Sequence, residues 1–322
     1  MPFSVRGGAN AIGATEDKEY FIRKMLRRAI PKQVHSQWGL KDYVPTRGGQ
    51  SVEWRRLSSF TTSTTALTEG TPGAETIPTV VSVTATVNQY GMFFRSTDIT
   101  SDQAIDDIRA EGSEALGEAA GDAFDLLTRN VIRGTTTIQY ASTAGSRVAV
   151  GSGMRLNTAE IREAITTLEV NNTPLFDEGA YKAIVHPRTK ADLFNDPTFQ
   201  NAMQYAGERG DNNPMMSGRI GRYYGCDFYV TTNASIQLAA GLSVANTSAD
   251  VYQSLFFGKE AYGVIELSAQ TLRQYYHEAG SSGVWDPLNQ LWSQGYKFTH
   301  TAAILNNAFI VSVEHSTSLG VE

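Results

Sequence analysis

Five histidines, one cysteine and a run of four aspartates are the residues here whose types suit catalysis or metal binding. His35, His186, His277, His300 and His315 are scattered, and no pair has the spacing that seats zinc on one helix face, as in H-E-x-x-H. They read as structural or solvated side chains. Cys226 stands alone, which excludes an intrachain disulfide and a thiolate metal cluster. Its apolar, alternating surroundings read as those of an inert buried thiol. Asp98, Asp102, Asp106 and Asp107 have the donor chemistry for a cation, but acids also gather where a helix begins. There is no G-x-S-x-G elbow and no phosphate loop. Gly218 to Gly225 is glycine-rich without dinucleotide spacing and reads as turn glycines. Arg209-Gly210-Asp211 spells an adhesion tripeptide by chance. The sequence therefore predicts no catalytic, cofactor or metal site.

The element around which the rest is organised runs from Ser101 to Gly134. Apolar residues recur at Ile105, Ile108, Ala115, Leu116, Ala119, Ala123, Phe124, Leu127 and Val131, the period of an amphipathic helix. Ser101 suits the N-cap, and Gly134 after Arg133 suits the end. At about 1.5 Å per residue this predicts a helix of roughly 45–50 Å. Gly117 and Gly121 in its middle each cost about 1 kcal/mol relative to Ala. They read either as a tolerated pair or as the mark of a close crossing by strands.

Residues 1–15 read as a polar arm, and Thr15 to Ala29 as a short helix with a basic face that is either solvated or a partner contact. Gln50 to Leu57 suits a strand. Ser58 to Pro78, rich in Ser, Thr, Gly and Pro, is long for a connection in a compact domain. Val81, Val83, Ala85 and Val87 then alternate with polar residues, and after Gln89 the apolar phase moves to Tyr90, Met92 and Phe94. Such a phase change predicts a bulge or bend. Together these segments read as two strands leaving the body, a loose tip and a kinked return. A two-stranded ribbon is marginal alone in water, so it should rest on something, most simply a neighbouring copy. Beyond the long helix, Thr135 to Val150 suggests a hairpin. Asn157 starts a helix to about Val170, with Glu160 placed for a reciprocal cap. Tyr181–Val185, Cys226–Val230, Val251–Phe257 and Tyr262–Leu267 read as strands, and His186-Pro187 and Asp196-Pro197 open helices. Glu208 to Ser217, Ala234 to Asp250 and Glu278 to Gly283 read as loops. Two strands, around Trp292 to Thr299 and Phe309 to Val313, flank a turn at Asn306-Asn307.

The chain is mildly acidic, with 33 acids against 27 bases, which argues against a broad grip on nucleic acid. No apolar run approaches the roughly 18–20 residues that span a bilayer, and Met1 to Ala14 lacks the pattern of a signal peptide. Cytoplasmic synthesis and no membrane partner are the expectations.

Several segments, in order, resemble the major capsid proteins of tailed bacteriophages. They are Trp54-Arg55-Arg56; Leu67-Thr68-Glu69-Gly70-Thr71-Pro72; Gln89-Tyr90-Gly91 before Ser96-Thr97-Asp98; His186-Pro187 with Asp192-Leu193; Gly218-Arg219-Ile220-Gly221 with Gly225; Thr231-Thr232-Asn233-Ala234; Phe257-Gly258-Lys259-Glu260-Ala261-Tyr262-Gly263; and Asp286-Pro287-Leu288. The ordered series, from about Tyr20 to Val313, carries the likeness; no single motif does.

The resemblance implies an α+β fold, the tailed-phage capsid fold. Its parts would be an N-terminal arm with a short helix (1–47), an extended two-stranded loop (48–96), a peripheral domain with the spine helix (97–150 and 251–322) and an axial domain (151–250). It implies a self-assembling coat protein of the virion, built in the host cytoplasm into an icosahedral shell of pentamers and hexamers around double-stranded DNA, which it would touch weakly and non-specifically. Scaffold, portal and decoration proteins are the implied partners. Candidate intersubunit residues are Arg55, Arg56, Leu67, Thr68, Glu69 and Gly70. Arg55 and Arg56 read either as solvated or as pairing with an acid of an adjacent subunit, such as Glu69 or one on the spine helix. Some members of the family lock their shell by a lysine–asparagine bond from the extended loop. No lysine lies between Lys41 and Lys182, so that chemistry has no place on this loop. The alternatives are a nanocompartment shell of the same fold and, from another class, an α+β enzyme or binding module.

Overall fold

The computed structural model describes residues 33–42, 50–58, 60, 62, 64–70, 73, 75, 77–103, 107–206, 220–244, 247–265, 272–281 and 285–318. The predicted arm and short helix, the loop at 208–217, the adhesion tripeptide and the first of the 218–225 glycines lie outside them.

In chain order the elements begin with β1 (Leu40–Asp42), β2 (Ser51–Leu57), β3 (Val80–Thr86), β4 (Asn88–Thr97), α1 (Asp98–Gln103), α2 (Ile108–Ile132), β5 (Ile138–Tyr140) and α3 (Thr158–Val170). Then follow β6 (Tyr181–Val185), α4 (Pro187–Asn195), α5 (Pro197–Ala206), β7 (Arg222–Tyr223), β8 (Cys226–Val230), β9 (Ile236–Gln237), β10 (Ser243–Val244) and β11 (Thr247–Ser248). The chain closes with β12 (Val251–Phe257), β13 (Tyr262–Ile265), β14 (Arg273–His277), β15 (Leu291–His300), β16 (Ala302–Ile304) and β17 (Ile310–His315).

The long helix is α2, and it begins later than the periodicity predicts. Asp107, with non-helical backbone, caps it by accepting from Arg109 N–H and Ala110 N–H at 3.1 and 3.2 Å. Ser101 belongs to the separate turn α1; its hydroxyl donates to the Thr97 carbonyl and accepts from the Trp292 indole at 2.7 Å. The helix is thus about 37 Å long. Its packed face is Ser113, Leu116, Gly117, Ala120, Gly121, Phe124, Asp125, Thr128 and Ile132, steps of three and four. Both mid-helix glycines are buried on that face.

Two layers meet this helix. Leu116, Ala120 and Phe124 pack with Tyr296, Phe298 and Leu272 beneath the sheet β14–β15–β4. At the other end Ile132 enters a cluster with Ile184, Leu255 and Phe257 on one face of a larger sheet, ordered β5–β17–β12–β6–β8–β7, with β9 beside β12. On its opposite face Ile161, Ile165 and Leu168 of α3, with Leu193 and Phe199, cover Tyr181, Val185, Phe256 and Val313. Burying a Leu- or Ile-sized side chain stabilises by about 1.5–3 kcal/mol, so these clusters hold the helix in place. The large sheet takes strands from 138–140, 251–257 and 310–315 as well as 181–185 and 226–230, so boundaries at 150 and 251 cut through one sheet.

Three local expectations change. Residues 135–150 form no hairpin: β5 pairs in parallel with β17, and a single 3-10 turn spans Arg147–Ala149. The predicted loop 234–250 contains β9 and the short β10–β11 pair. Asn157 caps α3 from Ala159 N–H and Glu160 N–H, but the Glu160 carboxylate does not reciprocate. It accepts from Ser142 N–H at 2.7 Å and from the Gln139 amide at 2.9 Å, tying the 135–150 segment down.

Candidate intersubunit surface

The extended loop is a ribbon. β2 and β3 pair antiparallel from Ser51↔Thr86 to Leu57↔Val80. The phase change near Gln89 is a change of partner: the ladder with β2 ends at Thr86, and from Asn88 the chain pairs with β15. The ribbon's base rests on its own chain. Val52 and Trp54 are buried against Ile265, with Ala85, Val87, Ala303 and Leu305 around them. Gly263 makes room: a Cβ there would stand 2.6 Å from Trp54 Cε2.

Beyond this base the described residues between Phe60 and Pro78 are exposed. Leu67 is 79% exposed and Ile77 78%, with Phe60, Thr68, Glu69, Gly70 and Glu75 also open to solvent. Gly70 takes a left-handed φ of 79°, the conformation a turn at the tip requires of glycine. Arg55 and Arg56 stay apart, on opposite faces of β2. Arg55 pairs with Glu53 of its own strand at 2.8 Å; the hydrogen bond from the guanidinium holds the Glu53 carboxyl below its ordinary range and raises Arg55. Arg55 therefore finds its acid without a neighbour. Arg56 is exposed. The six candidate residues lie along one projecting ribbon rather than converging on a pocket.

Two buried charge centres, which the sequence reading missed, fix the platform from which the ribbon projects. Residues 33–42 run back across the helix. Asp125 Oδ1 accepts from Val34 N–H and His35 N–H at 2.8 and 2.6 Å, its Oδ2 lies 2.8 Å from His35 Nδ1, and the Tyr262 hydroxyl donates to the His35 carbonyl. Asp125 is next to Phe124 in the stripe, and an acid there was the legible signal. The second centre is Lys182, fully buried in β6. Its ammonium donates to Glu178, to Asp227 at 3.0 Å and to the Tyr229 hydroxyl at 3.2 Å, and lies 4.3 Å from the centre of the Trp38 ring. Burial opposes its charge, but these hydrogen bonds more than offset that and push its pKa up. The two centres bolt the 33–42 segment to helix and sheet at once.

The sequence's possible chemistry does not gather into one site. His35 and His300 are buried in separate surroundings, His186 and His315 both pack on the Tyr252 ring, and burial pushes the Cys226 thiol well up. Asp107 serves as a cap. Among the described residues no group of His, Cys, Asp and Glu is arranged to hold a metal, and no helix is long and apolar enough to cross a membrane.

A projecting ribbon and a long helix between two sheets are the layout of the tailed-phage capsid fold. Solved structures agree in fold. The capsid of Ralstonia phage GP4 superposes with a TM-score of 0.69 at 13% identity over 88% of each chain. The capsid of cyanophage P-SCSP1u gives 0.66 at 15% identity over 89% of each chain. That of cyanophage Pam1 gives 0.67 at 16% identity over 99% of this chain and 97% of the other. No curated protein sequence matches. The sequence profile of the phage capsid protein family matches residues 80–287, more than half of the chain. The chain belongs to that family: it is a major capsid protein, a structural component of the virion that assembles with copies of itself, and not an enzyme.

Proposed function

We propose that this subunit builds an icosahedral shell of hexamers and pentamers around double-stranded DNA, and that its ribbon makes the contacts between subunits. One observation carries the reading. The ribbon's base is buried on its own chain while its tip leaves Leu67, Ile77 and Phe60 in water. Exposed apolar side chains grouped on a projection are the mark of an unmet partner. Leu67, Thr68, Glu69 and Gly70 then form the tip of the contact, and Arg56 is the better placed of the two arginines, since Arg55 is already paired with Glu53. In this reading the arm, ribbon, peripheral and axial parts keep their expected roles, with β12 and β17 lending the axial sheet two inner strands and β5 one edge. Scaffold, portal and decoration proteins are its further partners. The mild net acidity suits a wall that lines DNA without gripping it.

Electron microscopy of the purified protein tests the reading. Closed shells are expected, and open monomers at all concentrations would refute it. Nuclease-resistant DNA in particles from infected cells separates a genome container from a cargo compartment. Boiled particles should run as single subunits, because the ribbon offers no lysine for a cross-link. Arg56→Ala should fold and assemble poorly, and Arg55→Ala should assemble better than Arg56→Ala.

A further inference from the structure

The spine helix carries its acids in one row. Glu111, Glu114, Glu118 and Asp122 recur in steps of three and four, with no Lys or Arg between Arg109 and Arg129. At about 100° per residue, Glu114, Glu118 and Asp122 stand within about 60° of Asp125 around the helix. That is the side on which residues 33–35 cross it. These three acids are half-buried, and Glu111 is exposed. Gly117 and Gly121 lie beside the row, both buried, and leave backbone where a side chain would otherwise stand. The cations that bound the row are engaged elsewhere. Arg109 lies over the Tyr276 and Trp292 rings, and Arg129 donates to the Asn233 carbonyl and to Asn130. Asp122 also accepts from the Asn233 amide at 3.2 Å. Like charges one turn apart repel along a helix, so the row is a surface for a cationic partner.

The chain supplies one close by. Between Glu19 and Asp42 there is no acid, while Arg23, Lys24, Arg27, Arg28 and Lys32 lead into the crossing. The sequence pattern of residues 15–29 is that of a helix whose apolar stripe, Phe21, Ile22, Met25, Leu26 and Ala29, is flanked by Arg23 with Arg27 and by Lys24 with Arg28. Each flank pair has the same spacing as Glu114 with Glu118 and Glu118 with Asp122. Val34 N–H is fixed to Asp125, and the chain from Ala29 to Val34 spans at most about 18 Å. At Gln33 the chain still lies against the body, its side-chain amide nitrogen buried without a hydrogen-bond partner. Helical residues 15–29 would be about 22 Å long, and the row from Glu111 to Asp122 is about 17 Å. We propose that residues 15–29 dock on the spine helix of their own chain, the apolar stripe over Gly117 and Gly121 and one flank of cations on Glu114, Glu118 and Asp122. The contact lies within one chain, so it stands apart from the shell reading. Its consequence is a mask: the chain's densest run of cations is held on acids of its own helix and kept from polyanions such as DNA.

Hydrogen exchange read by mass spectrometry on dilute, unassembled full-length subunits tests it, with circular dichroism to check folding. Glu114→Lys with Glu118→Lys should speed exchange within 15–29 about tenfold and leave the spine helix as protected as in the parent. Adding Arg23→Glu with Arg27→Glu, or Lys24→Glu with Arg28→Glu, should restore protection to within about threefold of the parent for the flank that docks. If the reversed acid pair unfolds, Glu114→Gln with Glu118→Gln carries the same exchange test. This neutral pair should also retard double-stranded DNA on a gel at about tenfold lower protein concentration than the parent, and Gln at Arg23, Lys24, Arg27 and Arg28 should cancel the gain. Exchange within 15–29 of the parent as fast as in an unstructured peptide overturns the dock, as does exchange unchanged by the acid variants or a reversal that neither flank rescues. Protection that rises with subunit concentration makes the partner a second copy, and protection that appears only with added DNA makes it nucleic acid; either result defeats the proposal.

Discussion

Acid should destabilise this subunit in a window set by two buried histidines. His300 donates to or accepts from Thr128 through Nε2 at 3.3 Å, and packs on the Phe124 ring at 4.3 Å between centres. His315 lies fully buried with Ser254 at 2.9 Å. Burial lowers the pKa of each from 6.5 to about 4; at His315 it outweighs the opposing pull of the Ser316 carbonyl, Asp192 and Glu314, and His186 lowers it further. A depressed histidine pKa means that the unfolded chain takes a proton the folded chain refuses. Stability is therefore full above pH 6.5 and falls as the pH drops towards 4. At 1.36 kcal/mol per pKa unit, each site costs about 2 kcal/mol at pH 5 and about 3 at pH 4. The pair thus removes about 4 kcal/mol between pH 7.5 and 5, a large share of a typical 5–15 kcal/mol. Asp227 and Asp196, whose folded pKa values lie below 3.8, stay ionised throughout this interval and lose their contribution only at lower pH. The assay is urea unfolding of dilute, unassembled subunits at pH 7.5 and 5.0, beside His300→Gln. The parent should lose about 4 kcal/mol and the variant about half that. An unchanged unfolding free energy in the parent, or histidine ring protons that titrate near 6.5 by NMR, would refute the reasoning.

Two further perturbations check local arguments. Asp107→Ala removes the cap from the spine helix and should cost about 1 kcal/mol in the same unfolding assay, whereas Ser101→Ala should leave the helix start unchanged. Gly263→Ala puts a methyl into the Trp54 indole; overpacking of this kind costs about 1–3 kcal/mol, and protease cleavage within 58–79 should accelerate as the ribbon base loosens.

The sequence made the long helix legible because burial on one side of a helix writes a period of three to four into any chain. It placed the start six residues early because Ser101 and Asp107 are both good caps. What separates them is tertiary: the indole of Trp292, 191 residues away, already occupies the Ser101 hydroxyl. The same limit explains Glu160. Its spacing from Asn157 was right for a reciprocal cap, but the Ser142 N–H, from a segment that local pattern read as a hairpin, took its carboxylate. The ribbon was legible because a phase change in alternation is local, even though its cause, a switch of partner from β2 to β15, is not. Lys182 was hidden for the opposite reason. It sits in a strand with all five residues buried, where no alternation marks a face and nothing in sequence says which acids arrive.

These two kinds of residue divide the subunit's work. Where the chain must be the same in every copy, its charges are closed within itself: Asp125 holds His35, Lys182 holds three partners under Trp38, and Glu314 holds Arg147 at 2.6 Å. Removing one member of such a buried set strands the others, which is costly and makes the platform rigid. Elsewhere the side chains are left open. Glu69 and Glu75 are exposed with Leu67 and Ile77 on the ribbon, and Arg95 and Lys297 lie over exposed rings. Exposed pairs of this kind are individually weak, worth about 0–1 kcal/mol. Weak contacts suit a closed shell, because each copy repeats them around its ring and a misplaced subunit can still leave before closure makes them collectively strong.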